Sequence, residues 1–141
     1  MRHVLLAAAL TATAPAAAAP DNRTIVTEFA RIFYAEKNPA AAFKRFVAPD
    51  YVQHNPGIAD GRDAAVAALS PMFADPARSF EVQRILVDGD LAAIHLRVRS
   101  PGAPNGAAVA DFYRLKGGRI VEHWDLLQVV PPTSVNPHPM F

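Results

Sequence analysis

Four ionisable side chains stand close together near the carboxyl end of the chain, among residues that are mostly apolar. They are Asp111, Glu122, His123 and Asp125, with Trp124 between the last two. A charged group loses hydration when it is buried among apolar side chains, so each one needs a partner, an exposed position or a chemical role. Carboxylates and an imidazole are also the groups that enzymes use for general acid–base catalysis. Proton transfer is therefore the first chemistry that this sequence indicates.

The stretch that carries these groups, residues 111–128, predicts two β-strands joined by a tight turn. Aromatic, Val, Ile and Leu side chains fill both halves of it and favour a pleated, half-buried surface. Lys116–Gly118 supplies the turn, because glycine adopts positive φ without a steric penalty. Alternate side chains of a strand lie on opposite faces, so the register of this hairpin decides which ionisable groups meet.

Two registers are compatible with this turn. If residues 116–118 all belong to the loop, Asp111 pairs with His123. Asp125 then shares their face. If the loop contains only the two glycines, Asp111 faces Trp124, and the other two groups point to the opposite face. The first register brings two carboxylates and an imidazole into one site, and the second separates them.

Length and composition indicate an exported, globular domain. The chain has 141 residues, of which 51% are hydrophobic and 19% are charged, enough for one domain with a real core. Residues 1–19 contain a basic start with Arg2, an apolar run and then small residues, which is the pattern of a secretory signal peptide. We therefore expect residues 20–141 to form a single domain in the periplasm or outside the cell.

Charge and cysteine content exclude several classes of function. Without Arg2, the 14 Lys and Arg residues become 13 and balance the 13 Asp and Glu residues. The chain has no cluster of Lys and Arg residues of the kind that binds nucleic acid. We also expect no membrane insertion once the leader is removed. Cysteine is absent, which excludes thiol nucleophiles, thiolate zinc sites and iron–sulfur clusters.

Three helices are expected before the strands. Asp21 or Asn22 can cap the first helix, Pro39 suits the first turn of the second, and Asp60 can cap the third. The apolar residues of the first helix recur at helical spacing. They are Ile25, Val26, Phe29, Ile32 and Phe33.

The second half of the chain has the pattern of strands. Residues 80–87 and 91–99 flank Asp88–Asp90, a strong hairpin signal, and residues 130–141 contain four prolines and predict an ordered strap or a loose tail. Helices followed by at least four strands predict an α+β domain. We expect one curved antiparallel sheet, covered on one face by the helices, and a cone-shaped interior with a pocket.

Three segments resemble a known family. They are residues 51–56 (YVQHNP), 111–114 (DFYR) and 118–128 (GRIVEHWDLLQ). In this order they are similar to the SnoaL-like family of the nuclear-transport-factor-2-like superfamily. The closing Met140-Phe141 is similar to the ends of members predicted to catalyse aldol condensation. The resemblance implies the cone-shaped fold, also called a cystatin-like roll, and it favours the first register.

The resemblance also implies a function. It implies a small, largely apolar carbonyl compound as ligand, acid–base chemistry without a cofactor or metal, and a homodimer formed through the sheet. The reaction would be an aldol-type cyclisation or an isomerisation. The residues expected to carry the chemistry are His54, Asp111, His123 and Asp125. The residues expected to bind the substrate are Tyr51, Asn55, His95 and Trp124.

Among these residues we expect Asp111 to be the base, because its apolar neighbours in the strand would remove water from the carboxylate. His54 and His123 would polarise the carbonyl group or carry protons. Each role has a structural alternative: a carboxylate can pair with a cation of the sheet, His54 can be an exposed turn residue, and His123 can lie at a subunit interface. The cations available for such pairs are His95, Arg97, Arg99 and Arg114.

The function has alternatives as well. The same pocket can hold a ligand without converting it, in which case the polar residues only orient the ligand. The outer face of the sheet can serve as a surface for protein–protein interaction.

Overall fold

The computed structural model of the protein describes residues 20–141, so the expected leader at residues 1–19 lies outside the described part. These residues form three α-helices, one π-helical turn and five β-strands. In chain order they are α1 (Asn22–Ala30), the π-helical turn (Arg31–Ala35), α2 (Pro39–Phe46), β1 (Val47–Gln53), α3 (Arg62–Ala74), β2 (Ser79–Asp88), β3 (Leu91–Ser100), β4 (Ala103–Lys116) and β5 (Arg119–Val129). The predicted α+β class, with helices followed by a curved open sheet, is confirmed.

The first helix begins where the sequence predicts, but it changes form before it ends. The Asp21 carboxylate accepts a hydrogen bond from the backbone N of Thr24 at 2.7 Å. After α1 the backbone widens into the π-helical turn, a rare conformation that often occurs at functional sites. Within this turn the consecutive residues Phe33 and Tyr34 are both buried, at 5% and 3% exposure. The turn therefore directs Tyr34, as well as Phe33, towards the sheet.

The other two helices start differently from one another. Asn38 caps α2 by accepting a hydrogen bond from the backbone N of Ala41 at 3.0 Å, and α2 begins with a proline as predicted. The prediction for α3 is wrong, because Gly61, at φ 95°, holds the capping position. The Asp60 carboxylate instead accepts from the backbone N of Gln53 at 2.7 Å. Asp60 thus fixes the segment that follows β1.

The strand order in the sheet is β1-β5-β4-β3-β2. Three neighbouring pairs are antiparallel, as expected, but β1 lies parallel to β5 at one edge. The expectation of a wholly antiparallel sheet was therefore wrong at this edge. Parallel neighbours need a long crossover, and here α3 and three strands separate β1 from β5 in the chain.

The β4–β5 hairpin differs from both registers considered above. Its loop contains only Gly117 and Gly118, both at positive φ (57° and 75°), and Lys116 pairs with Arg119. The expectation of a three-residue loop was therefore wrong.

A β-bulge next to this loop changes which residues of β4 and β5 pair with each other. Leu115 still pairs with Ile120, but the next pair is Arg114 with Glu122, so Val121 is an extra residue on β5. An extra residue shifts the pairing by one position and turns every later side chain of β5 to the opposite face.

As a result, Asp111 pairs with Asp125, and Tyr113 pairs with His123. The expected direct pairing of Asp111 with His123 is absent from the structure. Asp111, His123 and Asp125 nevertheless lie on the same face of the sheet.

The inner face of β3 is apolar and its outer face carries charged groups, as the alternation in its sequence predicts. Ile94 and Leu96 are buried, at 0% and 1% exposure, whereas His95 and Arg97 alternate with them on the opposite face. Residues 130–141 contain neither a helix nor a strand, and the ring of Phe141 lies 4.7 Å from the Arg97 guanidinium.

The helices cover the inner face through packed aromatic rings. Phe73 on α3 stacks against Phe33 and against Phe80, with centroid distances of 4.4 Å and 4.0 Å. Phe29 packs against Tyr113 on β4 at 5.3 Å. No helix in residues 20–141 is long and apolar enough to cross a membrane.

Candidate active site

The helices and the inner face of the sheet enclose a cavity of about 230 Å³. Most of its wall is aromatic or aliphatic. The polar residues in the wall are Tyr34, Tyr51, Gln53, Asn55, Arg78, Asp111, Tyr113, His123 and Asp125. Five of the eight site residues expected from the sequence therefore lie at the cavity. They are Tyr51, Asn55, Asp111, His123 and Asp125.

Three ionisable groups meet on one side of this cavity. Asp111 pairs with Asp125 across the strands, and His123 lies two positions along β5 on the same face. One nitrogen or carboxylate oxygen from each residue lies within 4.8 Å of those of the other two. Asp111 and His123 are each only 7% exposed. Like charges at this distance repel each other, so the hydrogen-bond partners of the two carboxylates decide whether the arrangement is favourable.

Both oxygens of Asp111 already have partners. Oδ2 accepts a hydrogen bond from the Tyr34 hydroxyl at 2.5 Å, and Oδ1 lies 3.2 Å from Nε2 of His123. Since Tyr34 uses its hydrogen on Asp111, the Tyr113 hydroxyl, 2.7 Å away, donates to the Tyr34 oxygen. Burial, and then the charge of Asp111, raises the pKa of Tyr34 and of Tyr113 well above that of an ordinary tyrosine. Both phenols therefore stay protonated at neutral pH.

Gln53 fixes the orientation of the His123 ring. The backbone N of Asn55 can only donate, and it lies 2.9 Å from Oε1 of Gln53, which identifies that atom as the amide oxygen. The same oxygen lies 2.9 Å from Nδ1 of His123, so Nδ1 carries a hydrogen.

This orientation decides what lies between His123 and Asp111. A neutral imidazole with its hydrogen on Nδ1 presents a lone pair at Nε2, which would face a carboxylate lone pair on Asp111. The contact is favourable only if one proton lies between them, on the carboxyl group or on Nε2. The two residues therefore form a buried pair that shares a proton.

Tyr51 provides a hydrogen-bond donor beside this pair. Its hydroxyl oxygen accepts from Nε2 of Gln53 at 3.1 Å, and its own hydrogen has no acceptor within residues 20–141. Burial, followed by the charges of Asp111 and Asp125, strongly raises the pKa of Tyr51. The phenol therefore keeps its hydrogen and can donate it to an oxygen atom of a ligand.

Asp125 is the more accessible of the two carboxylates. Its Oδ2 accepts a hydrogen bond from Nδ2 of Asn55 at 2.5 Å, which is its one hydrogen bond to the described residues. It is also less buried than Asp111. Asp125 therefore has lone pairs available on the cavity side, whereas Asp111 is held by two partners.

Residues 26–123 match the sequence profile of the SnoaL-like domain, which is more than half of the chain. The chain belongs to the SnoaL-like family. The resemblance drawn from the motifs is therefore confirmed. No curated protein sequence matches this SnoaL-like domain significantly.

Several solved structures share the fold of this chain. A nuclear-transport-factor-2-like protein of unknown function from Mesorhizobium loti is 27% identical, with a TM-score of 0.63 over 77% of this chain and 96% of that one. TsrD from Streptomyces laurentii is 19% identical, with a TM-score of 0.63 over 77% and 91%. IdmH from Streptomyces antibioticus, named as a candidate polyketide cyclase, is 21% identical, with a TM-score of 0.57 over 74% and 90%. The last two show a shared fold.

Three expected site residues of this SnoaL-like domain lie outside the cavity, so their expected placement was wrong. Trp124 is opposite Phe112 on the outer face, because it alternates with His123 and Asp125. His54 stacks on Trp124 at 4.8 Å and contacts Glu122 at 2.9 Å.

His95 is the third of these residues. It lies on the outer face of β3, and its Nδ1 is 2.6 Å from Nη1 of Arg84. The alternation of β3, with Ile94 and Leu96 buried, directs His95 away from the cavity.

The sequence reasoning missed four polar residues of the SnoaL-like cavity: Tyr34, Gln53, Arg78 and Tyr113. Gln53 and Tyr113 follow Tyr51 and Asp111 at a spacing of two, so strand alternation was sufficient to place each on the same face as its neighbour. Tyr34 had no such signal, because burial of three consecutive residues, 32–34, exceeds the apolar stripe of a regular helix.

Asp111, His123 and Asp125 also offer three atoms that could bind a metal ion. Two of those residues, however, are already in contact with each other, and Nδ1 of His123 donates to Gln53. A metal would therefore have to displace the shared proton. The expectation of a site without metal or cofactor stays a prediction.

Proposed function

We propose that this domain binds a small, largely apolar carbonyl compound and moves a proton at the carbon α to the carbonyl group, without a cofactor. The observation that carries this proposal is the buried, proton-sharing pair of Asp111 and His123. Beside it stand a more open carboxylate, Asp125, and a phenol with an unused hydrogen, Tyr51. These are the base, the proton source and the oxyanion donor that enolisation requires.

The cavity limits the size of the ligand. An apolar cavity of about 150 Å³ is large enough to hold benzene. A cavity of about 230 Å³ therefore suits one small molecule with a short chain or a single ring. Its aromatic wall favours an apolar body, and the polar groups on one side favour one oxygen atom placed among them.

The first step assigns one role to each of two residues. With the carbonyl oxygen against the Tyr51 hydroxyl, Asp125 takes a proton from the neighbouring carbon. The electrons of that C–H bond form the C=C bond of an enolate, and Tyr51 donates a hydrogen bond to the oxygen that gains negative charge. Asp125 replaces Asp111 in the role of base, because both oxygens of Asp111 already have partners.

The second step uses the proton of the buried pair. In an aldol-type cyclisation, the enolate carbon forms a C–C bond to a second carbonyl carbon, and the Asp111–His123 pair gives its proton to the new alkoxide. The proton on Asp125 then returns to the pair, since the three groups lie within 4.8 Å. In an isomerisation, Asp125 returns its proton to another carbon instead.

Exchange of deuterium into a simple ketone tests the first step without the natural substrate. The probe is 2-octanone in D₂O, and the measurement is the loss of its α-proton signals by NMR, corrected for exchange without protein. We expect Asp125→Asn to lower the protein-dependent exchange rate by about a hundredfold or more. Asp111→Asn should lower it by less than about tenfold, because Asp125 and Tyr51 remain.

The outcomes separate the assignments. A larger loss in Asp111→Asn than in Asp125→Asn would return the role of base to Asp111, as the sequence alone suggested. Binding of ketones to the native protein without any protein-dependent exchange would contradict the proposed acid–base function.

A second function, ligand binding without catalysis, is supported by the satisfied contacts of Asp111. A carboxylate held by Tyr34 and His123 can serve to join β4 to the helices and to β5. In that function, the native protein binds ketones without protein-dependent exchange, and neither Asp substitution creates any.

Two further parts of the proposal concern the setting of the domain. We propose export to the periplasm or the outside of the cell on the basis of residues 1–19. We also propose a homodimer through the outer face of the sheet, which exposes large apolar side chains. These include Leu86, Phe112 and Leu126, at 64%, 38% and 69% exposure.

A further inference from the structure

One cation stands in the wall of an otherwise apolar and acidic cavity. Among the described residues that line the cavity, Arg78 is the one Lys or Arg. An arginine beside apolar surface is costly unless a negative group satisfies it. The polar groups of the proposed chemistry do not use Arg78, so its presence in the wall needs another reason.

Arg78 lies far from the proton-transfer residues along the strand direction. Arg78 lies two positions before Phe80, and Phe80 pairs with Val98 on β3. Asp111 pairs with Ile94, which lies four positions before Val98 on the same strand. The two residues are therefore six positions apart along the strand direction. At about 3.3 Å per residue, the backbones of Arg78 and Asp111 are separated by roughly 20 Å in that direction. Since both residues line one cavity, the cavity has an acidic end and a basic end.

The basic end is also the open end. The Arg78 side chain is 31% exposed, and Met72, an apolar residue of the wall near the end of the preceding helix, is 38% exposed. Asp111 at the other end is 7% exposed. A ligand therefore enters past Arg78 and reaches the acidic groups last.

Arg78 has donor capacity left for a ligand. Its one ion pair within the described part of the chain joins Nε to Oδ2 of Asp75 at 3.5 Å, which is longer than an ordinary hydrogen bond. The other oxygen of Asp75 accepts from the backbone N of Ala77 at 2.8 Å. A guanidinium has five N–H donors and binds a carboxylate in a bidentate manner, so an anion can still be accommodated.

The turn that carries Arg78 is held in place by a second cation. Nζ of Lys37 donates to the backbone oxygens of Asp75 and Arg78 at 2.8 Å and 3.1 Å. Lys37 itself has a φ of 54°, which is uncommon for a residue other than glycine. Lys37 thus fixes the position of Arg78 and adds positive charge at the same end of the cavity.

We propose that Arg78 binds a carboxylate at the outer end of the substrate, and that the substrate class is therefore small oxo acids. The placement of the ketone group at the inner end of the cavity rests on the function proposed above. The two carboxylates at the inner end repel the anionic group of the ligand, while Arg78 attracts it. The cavity therefore accepts such a molecule in one orientation, with its carbonyl group towards Tyr51 and Asp125.

Matched pairs of ligands test this assignment. The anionic probes are 7-oxooctanoate and 9-oxodecanoate, and the neutral probes of the same length are 2-octanone and 2-decanone. Dissociation constants are measured by calorimetry, and exchange at the α-carbons is followed by NMR in the same samples. We expect at least one oxo acid to bind about tenfold more tightly than its neutral partner, because a charge-assisted hydrogen bond is of that strength.

Two variants and a control assign the effect to Arg78. Arg78→Gln should remove the preference for the oxo acid and leave the affinity for the neutral ketone unchanged. Asp75→Asn keeps an oxygen for the backbone of Ala77 but removes the competing charge, so it should strengthen binding of the oxo acid. Arg99→Gln is the control, since Arg99 pairs with Glu81 outside the cavity wall.

The results distinguish this inference from the proposed function. Preference for the oxo acid that depends on Arg78, without exchange, supports the carboxylate site and contradicts the acid–base function. Exchange with equal affinity for both kinds of probe overturns the carboxylate site and leaves the acid–base function standing. Unchanged preference in Arg78→Gln, weaker binding in Asp75→Asn, or no binding of any probe also overturns the carboxylate site.

Discussion

The Tyr51 hydroxyl accepts a hydrogen bond from the side-chain amide of Gln53 at 3.1 Å, and it therefore does not need to accept one from a ligand. The amide is oriented by its own oxygen, which takes hydrogens from the backbone of Asn55 and from His123. One glutamine thus sets the direction of the Tyr51 hydrogen and the tautomer of His123 at the same time.

Removal of the Tyr51 hydroxyl should affect the transition state more than the binding of a ketone. We expect Tyr51→Phe to lower protein-dependent exchange of 2-octanone by about a hundredfold, because one preorganised donor to an oxyanion is lost. The dissociation constant should change by less than about threefold, since a neutral hydrogen bond contributes about 0.5 to 1.5 kcal/mol and water can replace part of it. An equal loss in affinity and in exchange rate would show that Tyr51 binds the ligand without stabilising an enolate.

Substitution of Asp111 by Asn should leave the fold stable. The amide oxygen can accept from Tyr34, and the amide nitrogen can donate to Nε2 of a neutral His123, so both contacts are kept. We expect a change of less than about 1 kcal/mol in the free energy of unfolding, measured with urea at neutral pH.

The opposite result is equally informative. A loss of about 3–5 kcal/mol in Asp111→Asn would indicate that Asp111 and His123 form an ion pair, in which Asn leaves a buried charge without a partner. That result would favour a structural role for Asp111.

All three tyrosines of the chain should ionise only when the protein unfolds. Burial, as the main cause, raises the pKa of Tyr34, Tyr51 and Tyr113 in the folded state. In the unfolded chain their pKa is about 10, so their contribution to stability is fully present below that pH and is lost as the pH rises above it. With three protons involved, the loss is at most about 4 kcal/mol per pH unit.

This prediction is checked by following phenolate absorbance and circular dichroism in one alkaline titration. The two transitions should coincide. A phenolate signal that rises near pH 10 while the circular dichroism stays native would contradict the assignment of three buried phenols.

Glu122 should stabilise the fold at neutral pH and lose this effect in acid. The hydrogen bond with His54, together with one from Arg114, lowers the pKa of Glu122 from 4.5. Its contribution is therefore present above the unfolded pKa and disappears as the pH falls through the folded pKa. We expect Glu122→Gln to melt at a lower temperature than the native protein at pH 7 and at nearly the same temperature in strong acid. The shift at pH 7 should be small, because the pair is partly exposed. A difference that persists unchanged in acid would assign the effect to packing.

A charge on the outer face of the sheet should abolish the proposed homodimer. Leu126 is 69% exposed on β5, and Leu126→Glu would place a carboxylate in the expected interface. We expect the mass from light scattering to fall from that of two chains to that of one. Val135→Glu is the matched control, because Val135 is fully exposed in the tail, outside the sheet. A native protein that is already monomeric would contradict the prediction.

Local patterns in the sequence were sufficient for much of the fold. The cap at Asp21, the proline that opens α2 and the hairpin of β2 and β3 depend on residues close together in the chain, and the structure has all three. The alternation in β3 also predicted which side chains form the core, because a strand directs alternate side chains to opposite faces.

The candidate site depended on features that no local pattern fixes. The extra residue Val121 places His123 and Asp125 on the face of Asp111, although the two-glycine loop by itself would have separated them. The π-helical turn brings Tyr34 to the same carboxylate. Both are irregularities that persist because burial of the surrounding aromatic core outweighs a regular hydrogen-bond pattern.

The sequence by itself determined the family, the order of the elements and the presence of acid–base groups on one strand pair. Only the tertiary structure decided which of these groups share a cavity, that Gln53 orients His123, and that His54 and Trp124 lie on the other face. The physical reason is that a shift of one residue in a strand turns every side chain over. That shift is decided by the packing of the whole sheet against its helices.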